Sequence, residues 1–200
     1  MIESKLLQSG LTKIAGVDEA GRGACAGPLV IAAVILRDIT DAKLAKVRDS
    51  KELKPGMREE LFEVIVDLAH DYSIIEISAA EIDVIGLHKA NLEGMRRAIN
   101  ALEVEPEYVL TDGYEISGLS TESLAIWKGD QVAISISAAS ILAKVYRDRI
   151  MINLDRQYPG YHFADHKGYV TRAHERSLNE LGVTAIHRRS YANIQALINK

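Results

Sequence analysis

Apolar residues fall along this chain first in strand-like runs and then at helical spacing. Lys13 to Val17 predicts one strand. Leu29 to Leu36, opened by Gly27-Pro28 and rich in β-branched residues, predicts a longer one. Tyr72 to Ser78, with Ile74, Ile75 and Ile77, predicts a third. Between the second and third, Met57, Leu61, Val64, Ile65 and Leu68 recur every three or four residues, so Pro55 to Ala69 predicts an amphipathic helix with proline in its first turn. Ser78 and Glu81 have the spacing of a capping box opening a helical region to about Leu102, with Gly86 and Gly94 arguing against one continuous helix. Tyr108-Val109-Leu110 and Ser123 to Trp127 predict two short strands. A helical stripe of Ile141, Leu142, Val145, Ile150 and Leu154 predicts a helix from Ser137 to about Tyr158, stopped by Pro159-Gly160. His162 to Val170 reads as irregular, Thr171 as the cap of a helix that Gly182 closes, and a last short helix starts near Ser190.

Strands in sequential hairpins followed by a strand flanked by helices predict an α/β fold, a mixed β-sheet with helices on its faces. With no repeat or clear linker, the expected partition is a single domain over residues 1–200. Its core covers about 13–158, and a helical C-terminal extension covers about 159–200.

Three predicted strands end at carboxylates: Asp18-Glu19, Asp112 (before Gly113) and Asp130 (after Gly129). Strand ends are where α/β sheets gather their sites. If the strands leading to Asp18 and Asp112 are parallel neighbours, the side chains meet at one edge. Clustered carboxylates raise one another's pKa until a cation neutralises them, and all-oxygen ligation selects hard ions such as Mg²⁺ or Mn²⁺. Pairs of such ions about 4 Å apart serve phosphodiester hydrolysis. Taken singly, each carboxylate also fits a turn or a helix N-terminus.

Composition narrows the setting. The one cysteine, Cys25, excludes an internal disulfide and fits a reducing compartment, where a small packed role is expected of it. The longest apolar run, Leu29 to Leu36, is too short to span a bilayer, and no signal-peptide pattern opens the chain, so no membrane association and a cytoplasmic location are expected. The net charge of −4 opposes bulk attraction to nucleic acid. Charge is unevenly spread, however: residues 144–189 hold nine Lys/Arg against five Asp/Glu, and residues 1–143 hold fourteen against twenty-three. An acidic body with a basic end fits a metal site facing a polyanion groove, and equally fits solvated helix faces.

A series of motifs then matches one family in order. These are Gly16-Val17-Asp18-Glu19-Ala20-Gly21-Arg22-Gly23, Asp49-Ser50-Lys51, Asp112-Gly113, and Lys128-Gly129-Asp130 leading into Ser135-Ile136-Ser137-Ala138-Ala139-Ser140-Ile141. Ala143-Lys144 with Arg147-Asp148, and His166-Lys167-Gly168-Tyr169 with Thr171 and His174, complete it. Over about Lys13 to Tyr191 the chain resembles the type 2 ribonucleases H, bacterial ribonuclease HII in particular. One departure is visible: family members often carry phenylalanine and then proline after the His-Arg pair near the C-terminus, where this chain has Ser190-Tyr191-Ala192-Asn193.

The resemblance implies a ribonuclease H-like fold and an endonuclease that hydrolyses the RNA strand of RNA/DNA hybrids. It also implies incision 5′ of single ribonucleotides in duplex DNA, with two ions, Mg²⁺ or Mn²⁺, and 5′-phosphate and 3′-hydroxyl products. By resemblance Asp18, Glu19, Asp112 and Asp130 are the catalytic, metal-binding set. Gly21, Arg22 and Gly23 read the 2′-hydroxyl, and Tyr169 packs on the neighbouring deoxyribose. Ser50, Lys51, Lys144 and Lys167 are candidate phosphate contacts. Trp127, His88 and Arg96-Arg97 match no motif and read as core or surface. Arg22 and a start only a dozen residues before the first strand favour type 2 over the type 3 cousins, which lack that arginine and carry an extra N-terminal domain. A monomer is expected. The competing readings are another two-metal phosphodiesterase without ribose selectivity and a non-catalytic nucleic-acid-binding module.

Overall fold

The apolar run of β2 (Leu29–Leu36) is buried along its whole length in the computed structural model, which describes residues 2–199. A strand apolar on both faces belongs at the centre of a sheet covered on both sides. β2 pairs antiparallel with β1 (Ile14–Ala20) and with β3 (Ala69–Ile77). β4 (Tyr108–Asp112) lies parallel to β1, and β5 (Ser123–Ile126) parallel to β4. The sheet order is β3-β2-β1-β4-β5.

The helices are α1 (Ile2–Gln8), α2 (Pro55–Leu68), α3 (Ala79–Ile85), α4 (Leu87–Asn100), α5 (Ile134–Gln157), α6 (Phe163–His166), α7 (Arg172–Leu181) and α8 (Ala192–Ile198). On one face of the sheet, Val30, Ala32, Val34 and Leu36 pack with Leu61 and Ile65 of α2 and Ile141, Leu142 and Val145 of α5. On the other, Leu29, Ile31, Ala33 and Ile35 pack with Ile82 of α3 and Ala90, Met95 and Ile99 of α4. The strict alternation along β2 divides it between two cores. A third cluster joins Cys25 and Met151 to Tyr161, Phe163, Leu178 and Ile194, tying α6–α8 to α5.

The helical region opening at Ser78 divides at Gly86, as that glycine suggested, while α4 runs unbroken through Gly94; three other features differ from the sequence-based expectations. α5 begins at Ile134, three residues before Ser137. The stretch expected to be irregular holds the single turn α6, flanked by left-handed His162 and Lys167. α1 was not anticipated, because its anchor is remote. Glu3, fully buried, accepts hydrogen bonds from the Ser135 backbone N–H and hydroxyl, both at 3.0 Å. It thereby caps α5, whose own N-cap residue, Ala133, has no side chain to do so. No described helix is long and apolar enough to cross a membrane.

Candidate active site

β1 and β4 run parallel with Val17 opposite Thr111, so Asp18 and Asp112 leave neighbouring strands at one level. Asp130 arrives on the 3-10 turn Gly129–Gln131, which follows β5 after the left-handed residue Lys128. The Gly129 N–H donates to Asp112 Oδ1 at 2.7 Å and ties that turn to the end of β4. One oxygen from each of Asp18, Asp112 and Asp130 lies within 4.8 Å of the others, a spacing one cation can bridge. Glu19 follows Asp18, and its Oε2 is buried with no hydrogen-bond partner. The Asn91 side chain of α4 is also fully buried with both amide atoms unpartnered, and it lies against Glu19. A buried carboxylate oxygen left without a partner beside clustered aspartates is suited to a hard cation, and the Asn91 amide is placed to orient that carboxylate.

The electrostatics agree. Burial, then the charges of Glu19 and Asp112, hold the Asp18 carboxyl well above its ordinary range, opposed by the Ser140 hydroxyl and the Glu19 N–H, which donates to Oδ1 at 2.7 Å. Burial and then Asp112 push Glu19 up to about 7, against the pull of Arg22. Asp130 is raised by burial and then by Asp49, and Lys51 Nζ, 3.6 Å from its Oδ2, offsets part of this. Desolvation together with like-charge repulsion is the mark of a functional cluster.

The raised carboxylates bind protons more tightly folded than unfolded, so their contribution to stability is present at acid pH and is lost as pH climbs through about 7 for Glu19. His174 and His187, lowered to about 4 chiefly by burial, act oppositely, but only below the ordinary histidine value of 6.5. Between about pH 6.5 and 8 the carboxylates therefore decide, and the metal-free melting temperature falls. Mn²⁺, which competes with those protons, raises the melting temperature more at the upper pH than at the lower. Equal metal-induced shifts at both would show that these carboxylates are not the ligands.

The other residues singled out in the sequence are placed as follows. Gly21, at φ +88°, has the Arg147 guanidinium packed where a Cβ would stand. The Tyr169 ring comes within 3.8 Å of the space above Gly23, so the glycine loop and the tyrosine adjoin. The Arg22 guanidinium lies over the Tyr114 ring, 5.2 Å from its centre. Lys51 points at Asp130, whereas Ser50 is buried behind the cluster with its Oγ 2.9 Å from that of Ser140. Lys144 is not brought to the cluster: its ammonium donates to Asp148 at 2.6 Å, and burial lowers its pKa. The Lys167 ammonium donates to the Ala164 carbonyl, and its own carbonyl accepts from Arg147 at 2.9 Å.

A cleft of about 420 Å³ opens over the carboxylates, lined by Glu19, Arg22, Asp49, Lys51, Asp112, Tyr114, Trp127, Lys128 and Asp130. Sequence reasoning had not assigned Asp49, Tyr114, Trp127 or Lys128 to it. Trp127 is 82% exposed at the cleft wall, so it is surface as expected, but surface of the site. The adjoining Lys128-Gly129-Asp130 motif was the one signal that could have found it.

An acidic cluster at the ends of parallel strands in a five-stranded mixed sheet, under an open basic-rimmed cleft, defines a metal-dependent nuclease of the ribonuclease H-like class. Comparison with known proteins supplies the finer assignment. Residues 15–194 match the family described as Ribonuclease HII. Ribonuclease HII of Rhodococcus erythropolis is 54% identical over 195 residues, covering 98% of this chain and 86% of that one. Ribonuclease HII of Cutibacterium acnes is 52% identical, covering 96% and 95%. The crystal structure of ribonuclease H2 from Pyrococcus horikoshii superposes with a TM-score of 0.81 at 30% identity, over 94% of this chain and 97% of that one. Bst-RNase HIII, solved in complex with Mn²⁺, shares the fold with a TM-score of 0.68 at 19% identity, over 94% of this chain and 69% of that one. The chain belongs to the ribonuclease HII family. It is a ribonuclease H, a metal-dependent endonuclease acting on RNA/DNA hybrids.

Proposed function

We propose that this enzyme, besides cutting the RNA strand of hybrids, incises 5′ of single ribonucleotides embedded in duplex DNA, using two ions of Mg²⁺ or Mn²⁺ and leaving 5′-phosphate and 3′-hydroxyl ends. The observation that carries this is a juxtaposition. Three aspartate oxygens within 4.8 Å of one another, with the orphaned Glu19 Oε2 following in sequence, lie at one end of β1, and the Gly21-Arg22-Gly23 loop packed near Tyr169 follows directly.

Asp18, Glu19, Asp112 and Asp130 are the residues to hold the ions. When bound, the ions supply an ionised water as nucleophile and neutralise the leaving oxygen. The chain's own groups do the rest. Lys51 balances Asp130 in the free protein and offers a cation to the incoming phosphodiester. Gly21, in the left-handed region, lets the loop turn over the Arg147 guanidinium, and the open space at Gly23 lets a ribose approach the backbone beside Tyr169, which fits recognition of the 2′-hydroxyl. Tyr169, 37% exposed, offers a face to the adjacent deoxyribose. Ser50, buried on Ser140, supports the cluster from behind more naturally than it contacts phosphate, and Lys144 serves the Asp148 pair. In this reading the chain works as a monomeric catalytic unit in the cytoplasm, where its nucleic-acid substrates are, with residues 159–200 helping to read the substrate.

The test compares three duplexes in Mg²⁺ and in Mn²⁺: all DNA, DNA with one ribonucleotide, and continuous hybrid. Cleavage of the all-DNA duplex at the rate of the ribonucleotide-containing one would sink the reading and favour a phosphodiesterase without ribose selectivity. Tyr169→Ala is expected to cost about tenfold more on the single ribonucleotide than on the hybrid, from the ~1–3 kcal/mol an aromatic platform contributes. Equal losses would remove the tyrosine from junction reading.

A further inference from the structure

The glycine loop and Tyr169 are both held from behind by two consecutive residues of the C-terminal segment, His187 and Arg188. The first path is a chain of imidazoles. The Thr184 backbone N–H donates to His187 Nδ1 at 3.0 Å, so His187 carries its proton on Nε2. That Nε2 lies 3.0 Å from His174 Nε2, which must therefore accept, leaving the His174 proton on Nδ1. His174 Nδ1 lies 3.0 Å from the Tyr169 carbonyl and donates to it. One set of tautomers satisfies every link. Both rings are buried, and their lowered pKa keeps them neutral, as the chain requires.

The second path runs through Arg188, also fully buried. Its Nη1 donates to the Arg22 carbonyl at 3.1 Å and to the Tyr191 hydroxyl at 2.7 Å, and its Nε donates to the Gly27 carbonyl at 3.2 Å. The Tyr191 hydroxyl donates in turn to the Arg22 carbonyl at 2.7 Å. The two paths meet in the backbone. His187 forms a β-bridge with Ala26, and the Arg188 N–H donates to the Cys25 carbonyl at 2.8 Å. Tyr191 lies in the segment where this chain departs from the phenylalanine and proline often found in its family, and its hydroxyl gives the Arg22 carbonyl a second donor beside Arg188.

We infer that His187, Arg188 and Tyr191 form a positioning clamp that fixes Tyr169 relative to the Gly21-Arg22-Gly23 loop, and that this clamp sets selectivity for an RNA-to-DNA junction. A junction requires a ribose at the loop and a deoxyribose at the tyrosine simultaneously, so a loosened separation costs it fully. A continuous hybrid presents a ribose at every register and tolerates the slack. The inference rests on the proposed roles of the glycine loop and Tyr169.

Tyr191→Phe deletes one hydroxyl and preserves packing. The hydroxyl accepts from Arg188 and donates to the Arg22 carbonyl, and Arg188 still reaches that carbonyl without it, so kcat/KM on the single-ribonucleotide duplex is expected to fall about fivefold, the factor that ~1 kcal/mol represents. On the continuous hybrid it should change by less than about twofold, the range of substitutions that disturb no special feature. His187→Ala should show the same selective loss. His187→Gln, which keeps an acceptor for Thr184 and a donor for His174, should restore it. A purely structural role would lower activity on both substrates together, with glutamine rescuing both or neither. An unchanged ratio between the two substrates in Tyr191→Phe overturns the clamp even if His187→Ala fails to fold. If the wild-type enzyme itself fails to distinguish an embedded ribonucleotide from DNA, or if Tyr169→Ala loses equally on both substrates, the underlying reading has failed instead, and the clamp with it.

Discussion

Asp18→Asn is expected to abolish turnover, by on the order of a thousandfold or more, while leaving hybrid binding within a few-fold of wild type. The substitution keeps shape and retains an oxygen for the Glu19 N–H that donates to Asp18 Oδ1. It removes one charge from the three aspartates whose oxygens lie within 4.8 Å. Those charges repel one another in a desolvated setting, and only a bound cation makes the arrangement favourable. The same change should therefore raise the metal-free melting temperature, because burial and the charges of Glu19 and Asp112 hold the Asp18 carboxyl well above its ordinary range. Binding survives because Arg22, Lys51 and Tyr169 are untouched. Turnover in Mn²⁺, hybrid binding by fluorescence anisotropy and a thermal melt distinguish the possibilities. Undiminished cleavage would remove the metal mechanism. Inactivity with a lowered melting temperature would mean that Asp18 holds the fold instead.

That Asp18 sits buried among other carboxylates was readable from the chain only in part. The strand carrying Asp18 could be seen because β1 is followed by a continuous apolar run, and β2 has nowhere to go but the centre of the sheet. The parallel pairing of β1 with β4 could be stated only as a condition, since strand order depends on how helices α3 and α4 return the chain across the sheet. Lys144 shows a different boundary. Spacing cannot say whether a lysine meets a phosphate or a neighbouring carboxylate, and Lys144, four residues before Asp148, meets the carboxylate. The brace on the glycine loop was hidden for the same reason as the Glu3 cap: Arg188 and Tyr191 reach Arg22 across more than 160 residues, and no local pattern reports such a contact. The family's motifs could name His166 to Tyr169, but not that the imidazole of His174 would hold Tyr169 by its carbonyl.

Gly16→Ala, two residues before Asp18, is expected to cost about 3 kcal/mol, because an inserted methyl meets backbone that cannot rotate away. A Cβ there would overlap the Ser135 carbonyl group and crowd the Ile136 nitrogen in the first turn of α5. This contact is what lets α5 lie so close to β1, and small buried residues at Ser135, Ser137, Ala138, Ala139 and Ser140 continue the approach. It also sets the site. Asp130 enters just before α5, and the Ser137 hydroxyl donates to its backbone carbonyl at 2.7 Å, so pushing α5 outward carries Asp130 away from Asp18. A displacement near 1 Å is enough to cost about a hundredfold in rate. The melting temperature should fall by roughly 10 °C for a chain of this size, and Mn²⁺ should stabilise the variant less than it does the wild type. Gly56 of α2 provides the contrast. Nothing lies within 4 Å of a Cβ placed there, so Gly56→Ala should raise stability by ~0.5–1 kcal/mol through helix propensity alone. If Gly16→Ala melts with wild type and keeps its response to Mn²⁺, then the packing of α5 on β1 does not set the spacing of the carboxylates.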